Sequence, residues 1–114
     1  REKRLFYSTF FHAFKWPALR SDVNHEYTDV RGEVVNNGFH YYTDPSFWDD
    51  YRNKLVLIGM ISPDVTTDII RSIIDKGEKR DGYMPTFFHG DHASTFISGS
   101  WLRGLHDFDL ERAY

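Results

Sequence analysis

The sequence predicts a mainly α-helical fold, and three observations carry that expectation. Apolar residues recur at helical spacing in most of the chain. Two steps, Asp44-Pro45 and Ser62-Pro63, combine a capping residue with a proline suited to the first helical position. Only residues 15–44 lack a helical period over a long stretch.

From Glu2 to Phe14, the residues Leu5, Phe6, Phe10, Ala13 and Phe14 follow helical spacing, while Tyr7 and Phe11 make the remaining face apolar too. A helix that is greasy nearly all round expects neighbours on every side. Pro17 stops it. Residues 15–44 then offer Asn24, Gly32, Asn36, Asn37 and Gly38 as turn formers, with short alternating pieces near Glu33–Val35 and Phe39–Tyr42. The expectation is a long irregular loop or a small hairpin, and ordered loops of that length in compact domains commonly build a site.

Asp44 as N-cap and Pro45 at the first position open a second helix through Trp48, Tyr51, Leu55 and Ile58. Ser62-Pro63 opens a third, with Val65, Ile69, Ile70, Ile73 and Ile74 on one stripe. Asp64 in its first turn and Lys76, Lys79 and Arg80 at its end suit the helix dipole. Gly82 to Gly90 reads as a loop, residues 91–103 as a fourth helix ended by Gly104, and Asp107 as the cap of a fifth. Helices joined by alternating long and short loops fit part of a helical toroid better than a four-helix bundle, which would have shorter connections and clearer polar faces.

Composition narrows the function. Ten Phe, seven Tyr and three Trp supply the bulk of a chain that is 40% hydrophobic. Such rings fill cores, and they also form the walls of sugar sites, where C–H faces stack on them. A net charge of -3 with both signs interspersed provides no basic field for a phosphate backbone, so nucleic acid is not an expected partner. No membrane anchor is expected, because the longest apolar run, Leu55 to Ile61, is far shorter than the ~20 residues that span a bilayer. The lack of Cys excludes disulfides and thiolate chemistry. With no Met or signal-type stretch at Arg1, and Tyr114 just inside a new helix, both ends are expected to be cuts in a longer chain.

Three groups of residues can carry chemistry. Trp48, Asp49 and Arg52 share one helical turn, so Asp49 and Arg52 can pair beside the Trp ring. That pair either caps a core tryptophan or gives a sugar one stacking face and one hydroxyl acceptor. Asp22 after Pro17 can cap a turn. His89, Asp91 and His92 form the densest polar cluster. The pattern is too sparse for a metal site, and Asp91 is either a helix N-cap or a group poised for proton transfer. Asp107 and Asp109 read as helix-start residues.

Six strings in order resemble glycoside hydrolase family 92, the exo-acting α-mannosidases. They are Phe6-Tyr7-Ser8-Thr9, Ser21-Asp22-Val23-Asn24-His25-Glu26-Tyr27, Ser46-Phe47-Trp48-Asp49-Asp50-Tyr51-Arg52, Gly82-Tyr83-Met84-Pro85, Gly90-Asp91-His92-Ala93 and Arg103-Gly104-Leu105-His106-Asp107-Phe108-Asp109. The family forms of the second and fifth are Ser-Asp-Val-Asp-Gly-x-Tyr and Gly-Asp-His-Ala. The resemblance implies an internal piece of an (α/α)6 toroid, normally preceded by a β-sandwich domain, that removes terminal α-linked mannose from glycans with inversion. It also implies a bound calcium ion, held mostly by residues outside this chain, and a secreted or periplasmic protein. Asp22, Trp48, Asp49, Arg52 and His92 are then the sugar-binding candidates.

The resemblance also exposes a gap. The family's general acid is a Glu in a Glu-Thr-Asn type motif before the Gly-Asp-His-Ala helix, where this chain has only Thr86-Phe87-Phe88-His89. An inverting glycosidase needs an acid for the leaving oxygen and a base for water. Asp91, expected near the rings of Phe87 and Phe88, is the substitute candidate for the acid. The competing readings are a glycan-binding relative that has lost the acid and catalyses nothing, or an unrelated toroid glycosidase of the trehalase type.

Overall fold

A computed structural model describes residues 1–84 and 90–114. About half of the chain is helical, in the order α1 (Glu2–Ala13), β1 (Glu26–Thr28), β2 (Val34–Asn36), α2 (Phe47–Asp50), α3 (Lys54–Ile61), α4 (Pro63–Glu78), α5 (His92–Leu102) and α6 (Leu110–Ala113). The Gly82–Gly90 loop expected from the sequence falls largely on residues 85–89, outside the described part.

The core forms around α4. Its stripe of Ile69, Ile70, Ile73 and Ile74 is buried, and it packs with Leu55 and Ile58 of α3 and with Ala93, Phe96 and Ile97 of α5. Each such side chain contributes roughly 1.5–3 kcal/mol when fully removed from water. Helices α3 and α4 lie close together at Gly59, where a Cβ would stand 3.4 Å from Thr66 Oγ1. Phe47 of α2 joins the same core through Phe96, their ring centroids 5.6 Å apart.

Four expectations about helix ends change. Pro45 is buried but precedes the helix, which starts at Phe47 with Ser46 as its N-cap. Asp44 caps nothing, because its carboxylate is drawn away to the ammonium of Lys76 at 2.6 Å. The single second helix is two, interrupted at residues 51–53, where Asn53 leaves helical geometry and its side chain caps α3. An ion pair of Lys54 with Asp50 spans the break. Asp109 rather than Asp107 caps α6, accepting from the Arg112 N–H at 3.1 Å. Ser62-Pro63 and the termination of α5 near Gly104 (φ 94°) follow the sequence reading.

Residues 15–44 do contain a hairpin, but only part of it was foreseen. Tyr27 pairs with Val35 in an antiparallel register, so β2 falls close to the expected Glu33–Val35 piece. The Phe39–Tyr42 piece forms no strand, only a bridge between Tyr42 and Leu19. Asp29 shapes the connection: its Oδ1 accepts from the N–H groups of Arg31 and Glu33 at 2.8 and 3.0 Å. The rest of the loop is fastened to α4. Tyr42 donates its N–H to Ser72 Oγ at 3.0 Å, His40 its N–H to Asp68 Oδ2 at 3.1 Å, and Lys79 bridges Asp29 and Asp75.

Helix α1 stands apart from this core. None of its residues is buried, and Leu5, Phe6, Tyr7 and Phe11 are each more than half exposed. Phe14, just past its end, is the point that meets the core. Deleting residues 1–11 is therefore expected to leave the melting temperature almost unchanged, whereas Ile73→Ala is expected to cost about 2–5 kcal/mol. Calorimetry of the two variants checks this, and equal losses would mean that α1 contributes to the same cooperative unit.

Candidate functional site

The short helix α2 brings Trp48 and Asp49 to the surface, because Phe47 occupies the inward position and leaves its neighbours on the outer side. Trp48 is half exposed. Its ring lies 5.6 Å from that of His92 at the start of α5, and Tyr51 stacks on the same imidazole at 4.7 Å with the planes 10° apart. These three rings form a partly open aromatic shelf. The Nε2 atom of His92 is buried and has no hydrogen-bond partner among the described residues, and Gly90 lets the backbone pack closely against it: a Cβ there would stand only 3.2 Å away.

The expected Asp49–Arg52 pair does not form. Asp49 Oδ2 accepts from Ser46 Oγ at 3.1 Å, and the Arg52 guanidinium lies 5.1 Å from the Tyr51 ring centroid. The reason is local: α2 ends at Asp50, so Arg52 is already outside the helix and the i, i+3 geometry is lost. Both polar side chains stay exposed at the edge of the shelf.

Asp91 is the N-cap of α5. Its Oδ1 accepts from the Ser94 N–H at 3.3 Å and its Oδ2 from Ser94 Oγ at 2.6 Å. It is exposed and lines an open hollow of about 350 Å3 together with Tyr83, Met84 and Tyr114. Phe87, Phe88 and His89, invoked in the sequence reading of this carboxylate, lie outside the described residues.

Asp22 is exposed and sits in a separate turn, its carbonyl accepting from the His25 N–H at 3.0 Å and its own N–H donating to Glu26 O at 2.8 Å. No side-chain hydrogen bond of Asp22 joins it to Trp48, Tyr51 or His92 among the described residues. The turn has a cost, because His25 adopts a φ of 66°. Left-handed geometry is disfavoured for a residue with a Cβ by roughly 1–2 kcal/mol. The His25 ring sits 4.5 Å from that of His40.

A larger cleft of about 850 Å3 between the 37–39 segment and residues 106–112 contains none of the candidate sugar-binding residues. Among the described residues, no group of three or more His, Asp or Glu side chains could hold a metal ion. No described helix is long and apolar enough to cross a membrane.

Sequence reasoning missed two residues. The periodicity makes Tyr51 an apolar helix position, yet its ring stacks on His92 and lies under the Arg52 guanidinium; its place three residues after Trp48 was the available signal. Lys76 was read as a cation favoured by the helix end, yet it is only 3% exposed. Burial pushes its pKa below the ordinary lysine value, against the opposing pull of Asp44.

Over residues 1–114 the sequence matches the Glycosyl hydrolase family 92 catalytic domain. The chain belongs to that family. The fold is similar to that of the GH92 alpha-mannosidase BT3965 from Bacteroides thetaiotaomicron, with a TM-score of 0.90 and 25% identity over all of this chain. The same enzyme in complex with mannoimidazole gives 0.86 and 26% over 96% of the chain. The GH92 inverting mannosidase BT2199 from Bacteroides thetaiotaomicron VPI-5482 gives 0.69 and 24% over 95%, a likeness of fold. The chain spans only 16–17% of the length of these GH92 structures. No curated protein matches.

The turn at His25 supplies a test of local strain. Replacing His25 by Gly is expected to raise stability by about 1 kcal/mol, the conformational penalty removed at a positive φ. A melting curve checks it, and a destabilised variant would mean that the contact with His40 outweighs the strain.

Proposed function

We propose that residues 1–114 are an internal part of the (α/α)6 catalytic domain of an exo-acting glycosidase that removes terminal α-linked mannose from glycans with inversion. The remaining polypeptide, with a β-sandwich domain and the rest of the toroid, completes the site, so the chain alone is expected to be inactive. The observation that carries this reading is the aromatic shelf of Trp48, Tyr51 and His92, with Asp49 and Arg52 at its edge, inside a whole-length family 92 match. A mannose ring offers C–H faces to Trp48 and hydroxyls to Asp49, Arg52 and the imidazole of His92. Asp22 is the further hydroxyl acceptor of this reading. The mannoimidazole complex of BT3965 supports a mannose-type ligand. Calcium is assigned mostly to residues beyond this chain, and the protein is assigned to the periplasm or the exterior, both on family grounds.

The absent Glu-Thr-Asn motif favours a second reading, a glycan-binding relative without hydrolysis. In the catalytic reading Asp91 supplies the proton to the leaving oxygen, which requires its Oδ2 to release Ser94 Oγ.

Two measurements in the full-length parent test these assignments. Trp48→Ala and Asp49→Asn are expected to weaken mannoside binding at least tenfold, about 1.4 kcal/mol, while exposed positions of this kind change stability by about 0.5 kcal/mol. Equal losses of binding and stability would make both residues structural. Asp91→Asn is expected to abolish turnover of a natural mannoside while sparing an activated aryl mannoside, since general acid catalysis contributes about 10²–10⁴-fold only where the leaving group needs a proton. If both rates fall alike, Asp91 is the helix cap alone; if neither falls, the acid lies beyond this chain; and a parent that binds mannosides without cleaving either substrate is the non-catalytic relative.

A further inference from the structure

Near the end of α4, the almost fully buried Lys76 sends its Nζ into the segment that leads to the shelf. It donates to the carbonyl of Tyr42 at 2.7 Å and to Asp44 Oδ1 at 2.6 Å, and lies 5.0 Å from the centroid of the Tyr41 ring. The same segment is gripped from its other side. Trp16 Nε1 donates to Asp44 O at 3.0 Å, Thr43 N donates to Ala18 O at 2.9 Å, and the Ala18 N–H donates to Thr43 Oγ1 at 2.8 Å. After Asp44 come the buried Pro45, the cap residue Ser46 and the inward Phe47, and then Trp48 and Asp49.

A buried ammonium is a poor source of net stability, because the desolvation it suffers offsets its attraction to a carboxylate. What it does supply is direction. Its three donors demand acceptors at fixed angles, and two of them are met by groups two residues apart on the chain entering α2. Ser72, one turn earlier on α4, already holds the Tyr42 N–H. Lys76 adds a second anchor and so fixes the angle as well as the position at which the chain enters α2.

We propose that Lys76 is a positioning residue for the sugar site: through Tyr42 O and Asp44 it sets the entry of α2 and thereby holds Trp48 and Asp49 in register with His92 on α5. This rests on the sugar-site reading given above. Lys76 touches no substrate in this scheme and acts through the 42–46 segment alone.

The test uses the full-length parent carrying Lys76→Met, Lys76→Arg or Asp44→Asn. Calorimetric titration with mannoimidazole and steady-state kinetics on an activated aryl α-mannoside are run well below the melting temperature. Lys76→Met and Asp44→Asn are each expected to weaken mannoimidazole binding and raise KM by about tenfold or more with near-full binding stoichiometry, the effect of a small misplacement of binding groups. Lys76→Arg keeps the charge and is expected to recover part of the loss. The double variant is expected to lose no more than the worse single one, because both break one link. A merely structural lysine gives the opposite pattern: fewer competent sites per molecule, with affinity and KM within about twofold of the unmodified enzyme in the folded fraction. That result overturns the proposal. If Lys76→Met does not fold, the affinities of Lys76→Arg and Asp44→Asn decide by the same criterion. An unmodified parent that neither binds mannoimidazole nor cleaves the mannoside instead overturns the sugar-site reading, and this proposal with it.

Discussion

Residues 15–44 have only six positions in regular strands, so their shape has to be imposed from outside, and one side of α4 imposes it. Asp68, Ser72, Asp75, Lys76 and Lys79 follow one another at helical spacing and form a polar stripe beside the isoleucine stripe. The isoleucines face α3 and α5; the polar stripe faces the loop. Its members bind that loop from Asp29 in the hairpin connection to Asp44 at the approach to α2, with Ser72 and Lys76 both holding Tyr42. Helix α4 is thus the element against which both the helical layer and the irregular layer are measured.

The two stripes do different work. Burial of the isoleucines is the stabilising part, since apolar area removed from water is favourable without regard to angle. The polar stripe contributes little net free energy, because buried ions lose hydration nearly as fast as they gain partners. Its effect on the charges is nonetheless visible. Burial works against the Asp29 carboxylate, yet the N–H groups of Glu33 and Arg31 and the Lys79 ammonium outweigh it and hold its pKa below the ordinary value. Burial likewise opposes the charge on Lys79, and the Asp75 and Asp29 carboxylates reverse that too. These charges are kept ionised by one another, which makes the seam specific rather than strong. Tyr27 and Tyr41, their rings stacked at 3.7 Å, lie under the ammonium groups of Lys79 and Lys76.

How much of this could be read from the residues depended on range. The apolar stripe of α4, the cap at Asp91 and the stop near Gly104 are governed by neighbours within a turn, and the sequence exposes them directly. Asp44 and Asp107 look like caps by the same local rule, but a carboxylate chooses between a helix N-terminus and an ammonium, and the ammonium that takes Asp44 lies 32 residues away. The break at residues 51–53 separates Arg52 from Asp49 for a reason that single-helix periodicity cannot contain. For the site, Trp48 and His92 were legible as separate motif members, and their meeting needed the packing of α2 on α5. Asp22 belongs to a different turn, and nothing among the described residues brings it to the shelf.

The link between Lys76 and Asp44 also bears on how this chain can change over generations. Losing the Asp44 carboxylate leaves the buried Lys76 ammonium without its counter-ion, a state that typically costs several kcal/mol, whereas Asp44, its side chain 27% exposed, can turn to water if Lys76 is lost. Replacing both together by apolar residues of similar volume is far milder. Drift at Asp44 is therefore held in check by Lys76, 32 residues along the chain, and is freed once Lys76 has changed first.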